Sequence, residues 1–274
     1  MVTNILLKRD DYMLSLAKEL GISQHLTAKL SSLDEKKLCS LRDKCTQKHF
    51  KVLKKEDEIY RLGVILLLAK DLKEKYNLSG IDEKIYYDTL SDIKIWCTDN
   101  GIKNYGWLKN HLSFELFRLG RLQFQLFECK SKALLYNKLP FSYGEKLVYI
   151  HIPEGEKLSK EECIKSIKEA DIFFKTYFPN HKYKYYFCES WLLYEGNRDF
   201  MDENSNIVKF MSLFNIAYSV KIDKQAIERI FRKRRFFKKN YPENTSLQKR
   251  AKNYISNGNS LGVGVGYILK NFTD

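Results

Sequence analysis

For its first hundred-odd residues the chain repeats its apolar positions at the period of a helix. An amphipathic run from Asp10 to Leu20 stops at Gly21, and shorter helices are expected from Gln24 to Leu30 and from Asp34 through Cys45. The strongest signal is Glu56 to Tyr76. There Ile59, Leu62, Val64, Ile65, Leu66, Leu68 and Leu72 form a stripe too broad to leave in water. Asn77-Leu78-Ser79-Gly80 breaks it, and Asp82 to Thr98 resumes the period until Asp99-Asn100-Gly101. Trp107 to Leu119 predicts one more helix, ended by Gly120.

After Gly120 the period shortens to two. Leu122, Phe124 and Leu126 alternate with Arg121, Gln123 and Gln125, which is strand patterning over Arg121 to Cys129. Ala133 to Tyr136 reads as its hairpin partner. The stretch from Leu147 to Tyr194 is a strand (147–152), a capped helix and a second strand (183–193). Ser159 and Glu162 form a capping box, Cys163, Ile164, Ile167, Ala170, Phe174 and Phe178 keep the helical period, and Pro179 ends it. Ser205 to Phe214 predicts a short helix, Ala217 to Ile222 a strand, Lys224 to Lys239 a basic helix, and Leu261 to Leu269 a glycine-rich final strand. The fold class expected is α+β, with a helical domain over 1–115 and a mixed α/β domain over 116–274.

Composition narrows the function classes. The 274 residues are 44% hydrophobic and 30% charged, enough for a sizeable core. The net charge is +14, of which residues 221–252 supply twelve Lys/Arg against three acids. Such a face suits phosphate-rich partners, namely nucleic acid, coenzyme A or an anionic surface, or is simply a solvated basic helix. The six cysteines carry no C-x-x-C pair and read as reduced core residues. The five histidines lack ligand spacing, so no metal is expected. No signal-peptide core opens the chain, and the run from Leu62 to Ala69 is far short of the roughly 20 residues a membrane span needs. A cytoplasmic protein without a membrane partner is the expectation.

Along Leu147 to Pro153, side chains alternate. Val148, Ile150 and Ile152 share one face, Tyr149 and His151 the other. His151 beside Glu154 is a candidate general base, or else a structural histidine in a sheet. On the facing strand Cys188 invites a Cys–His pairing but reads more simply as a buried cysteine, and Glu189 is either an edge carboxylate or a site acid. The strand-to-helix turn over Gly155 to Ser159 is a candidate anion loop with Lys157 as its cation, although Glu154, Glu156, Glu161 and Glu162 crowd it. Gly262-x-Gly264-x-Gly266 lacks the spacing of a dinucleotide fingerprint, and its glycines are expected to permit close approach of a neighbour or ligand. Near the start, Leu16 to Leu33 resembles a helix-turn-helix, which with the basic charge raises nucleic-acid binding, but its second helix carries only Lys29 as a cation.

Three motifs extend this reading: Leu119-Gly120-Arg121-Leu122-Gln123-Phe124, His151-Ile152-Pro153-Glu154-Gly155 and Ser190-Trp191-Leu192-Leu193. In this order they resemble a bacterial acyltransferase-like family that pairs a helical N-acyltransferase N-terminal domain with a GNAT-like C-terminal domain. The resemblance implies a GNAT-like α/β domain that uses acyl-coenzyme A to acylate an amine. In that pattern a strand splays from its neighbour, its backbone pairs with the acyl-pantetheine arm, and the pyrophosphate sits on the next helix. The resemblance therefore implies Ile150 and Ile152 for the pantetheine, and Glu154, Gly155, Lys157, Leu158 and Ser159 for the phosphates. His151 or Glu189 would be the base, and the basic 229–239 segment would meet the adenosine phosphate. Two departures stand out. The Gln/Arg-x-x-Gly-x-Gly/Ala loop is replaced by Pro153-Glu154-Gly155-Glu156-Lys157-Leu158-Ser159. The tyrosine that often serves as acid is replaced, in Asn206 to Phe214, by Phe214, leaving Tyr218 or Tyr194 to protonate the thiolate. The alternative is a catalytically degenerate GNAT-fold binding module associated with nucleic acid.

Overall fold

A computed structural model describes residues 12–48, 50–130 and 139–270. The chain divides at Gly120 into two compact units; residues Pro153–Gly155 group with the first, and Gly120–Ile152 and the residues from Glu156 onward form the second. The class is α+β: helices first, then a mixed sheet with helices.

The first unit contains α1 (12–19), α2 (Gln24–Ser31), α3 (Glu35–Lys48), α4 (Glu58–Leu78), α5 (Glu83–Ile95) and α6 (Tyr105–Leu112). α4 is buried without a break from Leu62 to Ala69, and again at Leu72 and Tyr76. A helix buried on every side needs neighbours on every side, and α2, α3, α5 and α6 all pack on it. A Cβ on Gly63 would lie 2.9 Å from Leu38 Cδ1, so the missing side chain sets how closely α3 approaches. Gly101 pairs with Thr98 where the two-residue strands β1 (Cys97–Thr98) and β2 (Gly101–Ile102) meet. It has φ +131°, and a Cβ there would sit 2.2 Å from Glu58 O, so only glycine fits.

The helix expected over Trp107 to Leu119 is two elements. α6 ends at Leu112, Phe114 takes φ 60°, and β3 (Leu116–Leu119) follows. All four residues of β3 are buried, Arg118 included, so no alternation was available to mark it as a strand. The expected helix from Asp82 likewise stops at Ile95.

A polar cluster lies inside this unit. Asp92 Oδ2 accepts the Trp107 Nε1–H at 3.0 Å and meets His111 Nε2 at 3.1 Å. His111 is fully buried, and Arg118 donates to Ser91 Oγ close by. Burial pushes the Asp92 pKa up, but His111, Trp107 and the charge of Arg118 together bring it below its ordinary value of 3.8.

The second unit holds β4 (Leu122–Glu128), β5 (Lys146–His151), α7 (Lys160–Tyr177), β6 (Tyr185–Ser190), α8 (Asn206–Met211), β7 (Asn215–Val220), α9 (Lys224–Phe231), α10 (Ser246–Ser256) and β8 (Val263–Leu269). Its strands lie in the order β4-β5-β6-β8-β7. Only β5 and β6 are parallel, and α7 is the crossover that parallel strands require. α7 starts as its capping box predicts, with Ser159 Oγ accepting the Glu162 N–H. It covers the sheet face of Val148, Ile150 and Tyr186, where its Asp171 accepts the hydroxyls of Tyr183 and Tyr186. The other face carries an aromatic cluster around Phe141, Leu147, Phe187 and Val265.

Two expectations change here. The strand expected to Leu193 ends at Ser190 and turns through a 3-10 segment, Trp191–Leu193. The basic helix expected to Lys239 ends at Phe231, where Arg232 adopts φ 65°. Beyond it only like charges and two phenylalanines follow, so no further apolar face exists to hold helix against the domain. Phe236 and Phe237 in this stretch are 94% and 57% exposed. α10 was not anticipated, although Leu247, Ala251, Tyr254 and Ile255 stand at helical spacing and pack with Ile227, Ile230 and Phe231 of α9. The hairpin partner expected at 133–136 lies outside the described residues.

Replacing Asp92 with alanine removes the carboxylate shared by the buried His111 and the half-buried Trp107. The expected loss is about 3 kcal/mol in urea unfolding at neutral pH. Because the native carboxyl pKa is depressed, its contribution is present above about 3.8 and is lost as pH falls through the folded value. The gap between wild type and Asp92→Asn should therefore shrink on acidification; a constant gap would remove the charge from the account.

Candidate active site

The site is built on a parallel pair that does not stay paired. β5 and β6 are in register at Val148–Tyr186 and Tyr149–Phe187, after which their ladder ends. Yet β5 continues to His151 and β6 to Ser190. Each is held on its far edge. β5 pairs with β4 from Lys146 through His151, and β6 pairs with β8 from Tyr185 through Ser190. The result is a wedge between two well-supported strands.

Tyr149 stands at the apex of the wedge. Its ring meets Phe187 at 5.0 Å and stacks on His151 at 4.2 Å, and its hydroxyl donates to the Glu189 carbonyl at 3.4 Å. Burial pushes its pKa up, and the charges of Cys188 and Glu189 add to this, so the phenol stays protonated at neutral pH. His151 Nε2 lies 2.9 Å from Gln125 Oε1 on the neighbouring strand. With the amide oriented this way Nε2 carries the hydrogen and Nδ1 is the basic nitrogen.

Sheet register places the other candidates. Glu189 pairs with Val265, and Val265 pairs with Tyr218 across a β-bulge, so these three form one row across β6, β8 and β7. Glu189 is exposed, while Tyr218 packs against the aromatic cluster. His151, Glu189 and Tyr218 therefore share the face opposite α7. Cys188 points to the other face, is fully buried, and has its pKa raised by that burial, then by Glu189. It is a core thiol and no partner for His151. Phe214 is buried after α8, with its Cβ 3.1 Å from where a Cβ of Gly266 would lie.

The loop after β5 has a support that the sequence reading missed. Arg121 is 6% exposed, and its Nε and Nη2 donate to the carbonyls of Lys157 (3.0 Å) and Glu156 (2.9 Å). Its own N–H donates to Ser166 Oγ on α7 at 2.7 Å. One arginine thus ties the loop to the sheet, and its neighbours in the Leu119 to Phe124 motif were the available signal. Gly155 has φ +101° with nothing near its missing side chain, Glu156 and Lys157 are exposed, and Leu158 and Ser159 are half-buried. Gln123, which pairs with His151, and Gln125 are further polar residues of this face that pattern alone marked only as strand.

The glycine row of β8 has a structural cause. A Cβ on Gly264 would fall 1.9 Å from Leu193 O, and one on Gly262 2.3 Å from Val220 O. At Gly264 the approaching neighbour is the turn that closes β6, and at Gly262 it is the end of β7 with the Tyr194 ring.

At the other end of the chain, Leu26 and Leu30 of α2 are buried, and Lys29 Nζ donates to the Asp99 carbonyl at 3.1 Å. The one cation of the expected recognition helix is used inside its own domain. Among the described residues no cluster of His, Cys, Asp or Glu has metal-site geometry, and no helix is long and apolar enough to cross a membrane.

A mixed sheet with a splayed parallel pair, followed by a loop and a capped helix, defines a GNAT-like domain. Residues 116–268 match the GNAT-like C-terminal domain family and residues 13–114 the N-acyltransferase N-terminal domain family, so the chain belongs to the family that joins these two. Among solved structures, an acyltransferase in complex with decanoyl-CoA and teicoplanin is similar, with a TM-score of 0.77 at 19% identity over 93% of this chain and 87% of that one. An acyltransferase mutant in complex with octanoyl-CoA gives 0.76 at 18% identity, with the same coverage. Another, in complex with CoA and 10C-teicoplanin, gives 0.77 at 18% identity over 93% and 87%. At such identities the likeness is one of fold. No functionally curated protein matches the chain.

Substitutions at two positions test this arrangement. Arg121→Ala should speed amide exchange across 156–159 and cost about 1–3 kcal/mol of stability, because two loop carbonyls lose their charged donor. Arg121→Lys should rescue little, since a single ammonium cannot reproduce the fork. Gly264→Ala should cost more than about 4 kcal/mol or prevent folding. A stable, fully folded Gly264→Ala protein would show that the turn does not press on β8.

Proposed function

We propose that the protein is an acyl-coenzyme A-dependent N-acyltransferase that acts on an amine-bearing acceptor, in the cytoplasm. The observation that supports this most is the parting of β5 and β6 beyond Tyr149 and Phe187. A wedge of this kind offers strand backbone to a pantetheine arm, which is itself a chain of amides. In this reading the backbone of Ile150 and Ile152 pairs with that arm, and the loop from Glu154 through Gly155, Lys157, Leu158 and Ser159 receives the phosphates. The division of labour falls at 1–115 and 116–274, with the coenzyme held by the second part.

Bound acyl-coenzyme A supplies an activated thioester carbonyl. His151, with Nδ1 basic, takes the proton that the attacking amine must lose, and Glu189 is the competing base from across the wedge. Tyr218 returns a proton to the sulfur as the carbon–sulfur bond breaks. Tyr149 stacks on His151 and fixes the plane of its ring, so most of the contribution here is orientation. The exposed Lys157 favours phosphate, while Glu154, Glu156, Glu161 and Glu162 oppose it, so pairing along the strand carries more of the affinity than in a cationic loop. The acyl groups held by the solved neighbours make octanoyl- and decanoyl-coenzyme A the first donors to try.

Isothermal titration with acetyl-, octanoyl- and decanoyl-coenzyme A should give saturable heat with at least one of them. Silence with all three at millimolar ligand would sink the proposal. With an acceptor amine found, His151→Ala should lower kcat by about 10²–10⁴-fold with little change in donor affinity. Should Glu189→Gln give that loss instead, the base is Glu189 and the fold reading stands.

A further inference from the structure

We infer that the segment from Arg232 to Asn240 is a docking tip for an anionic lipid surface. This is independent of the acyl-transfer reading, and it revises the expectation of a protein without a membrane partner. Every residue from Arg232 to Asn240 is exposed. Within it Phe236 is 94% exposed and Phe237 57%, flanked by Arg232, Lys233, Arg234, Arg235, Lys238 and Lys239, with no acid between them. A phenylalanine displayed this fully gains nothing from the fold and has a large apolar area to lose to any partner.

The segment is anchored at both ends. On one side Arg234 Nη2 bonds Asp223 Oδ1, and on the other Lys238 Nζ donates to the Ile255 carbonyl at 2.6 Å. Arg235, Phe236 and Phe237 are thereby held between two fixed points. The helix break at Arg232, φ 65°, turns the chain out of α9 to begin the tip. Ile222, next to the Asp223 anchor, is 60% exposed and extends the apolar surface at its base. Gln225 Oε1, two residues beyond the Asp223 anchor, accepts the N–H of Trp191, the residue that follows β6.

An anionic bilayer answers both halves of this surface. Its headgroup phosphates pair with the cations, and the acyl layer just below accepts the rings. A nucleic acid answers only the cations. The two rings meet edge to face, 4.8 Å apart at 87°, so they do not form the parallel platform on which successive bases stack.

The test is co-sedimentation with phosphatidylcholine vesicles, with and without about 30% phosphatidylserine. Wild type should bind the anionic vesicles and not the neutral ones. Phe236→Ser and Phe237→Ser should each weaken binding by about tenfold with an unchanged melting midpoint, and Arg235→Gln by about fivefold. Phe236→Trp keeps the apolar side chain, and its fluorescence should shift to the blue on anionic vesicles. The inference fails if wild type ignores anionic vesicles, or if the serine variants bind as well as wild type. It fails equally if the tryptophan emission does not move, or if a DNA or RNA oligomer is bound more tightly, and in a phenylalanine-dependent way, than the vesicles.

Discussion

The second unit depends on one imbalance of strand pairing. β5 and β6 share two register positions, while each shares six with its antiparallel neighbour on the far side. Antiparallel pairing is somewhat stronger per residue than parallel pairing, so geometry at the outer edges decides the course of both strands. The turn Trp191–Leu193 completes the constraint by folding the end of β6 over β8, and the absent side chain of Gly264 makes room for it. The gap is thus a consequence of commitments elsewhere. It does not result from fraying, because every strand that borders it is paired along its length on one edge.

The same strands sort chemistry by face. Residues at even positions of β5 and β6 pack toward α7, where Cys188 is buried and the hydroxyls of Tyr183 and Tyr186 share Asp171. Odd positions face the other way and carry Tyr149, His151 and Glu189. Period-two alternation therefore separates a buried thiol from an imidazole and a carboxylate on the opposite face. Cys188 and Glu189 are adjacent in sequence, yet they belong to different environments.

Much of this was legible in the sequence because it is local. The capping box at Ser159, the run from Leu62 to Ala69 and the alternation of Leu122, Phe124 and Leu126 are statements about near neighbours, and the structure keeps them. What was missed depends on distant partners. β3 looked helical because burial on both sides hides a strand's alternation. The basic helix past Phe231 looked continuous because nothing in Arg232 to Lys239 reveals that no partner awaits it. In the site, His151 and Glu189 could be nominated as single residues, but the hydrogen bond from His151 to Gln125 and the row linking Glu189 to Tyr218 require the sheet order. The domain order was readable from three short motifs, one of which contains the buried Arg121.

That arginine also bears on the departure that looked most damaging. A glycine-rich loop grips phosphate because its backbone is free to aim several N–H groups at one point. Here the loop has one glycine and several acids. Arg121 nevertheless draws the carbonyls of Glu156 and Lys157 toward the domain interior. In a trans peptide the N–H points opposite to the C=O, so the N–H groups of Lys157 and Leu158 are turned the other way, away from Arg121. A buried guanidinium can thus impose from below the orientation that glycines permit from within. The surrounding carboxylates weaken the long-range attraction for an anion but leave these short-range donors in place. If the loop receives phosphates as proposed, it would favour a ligand positioned by its other contacts over one drawn in by charge.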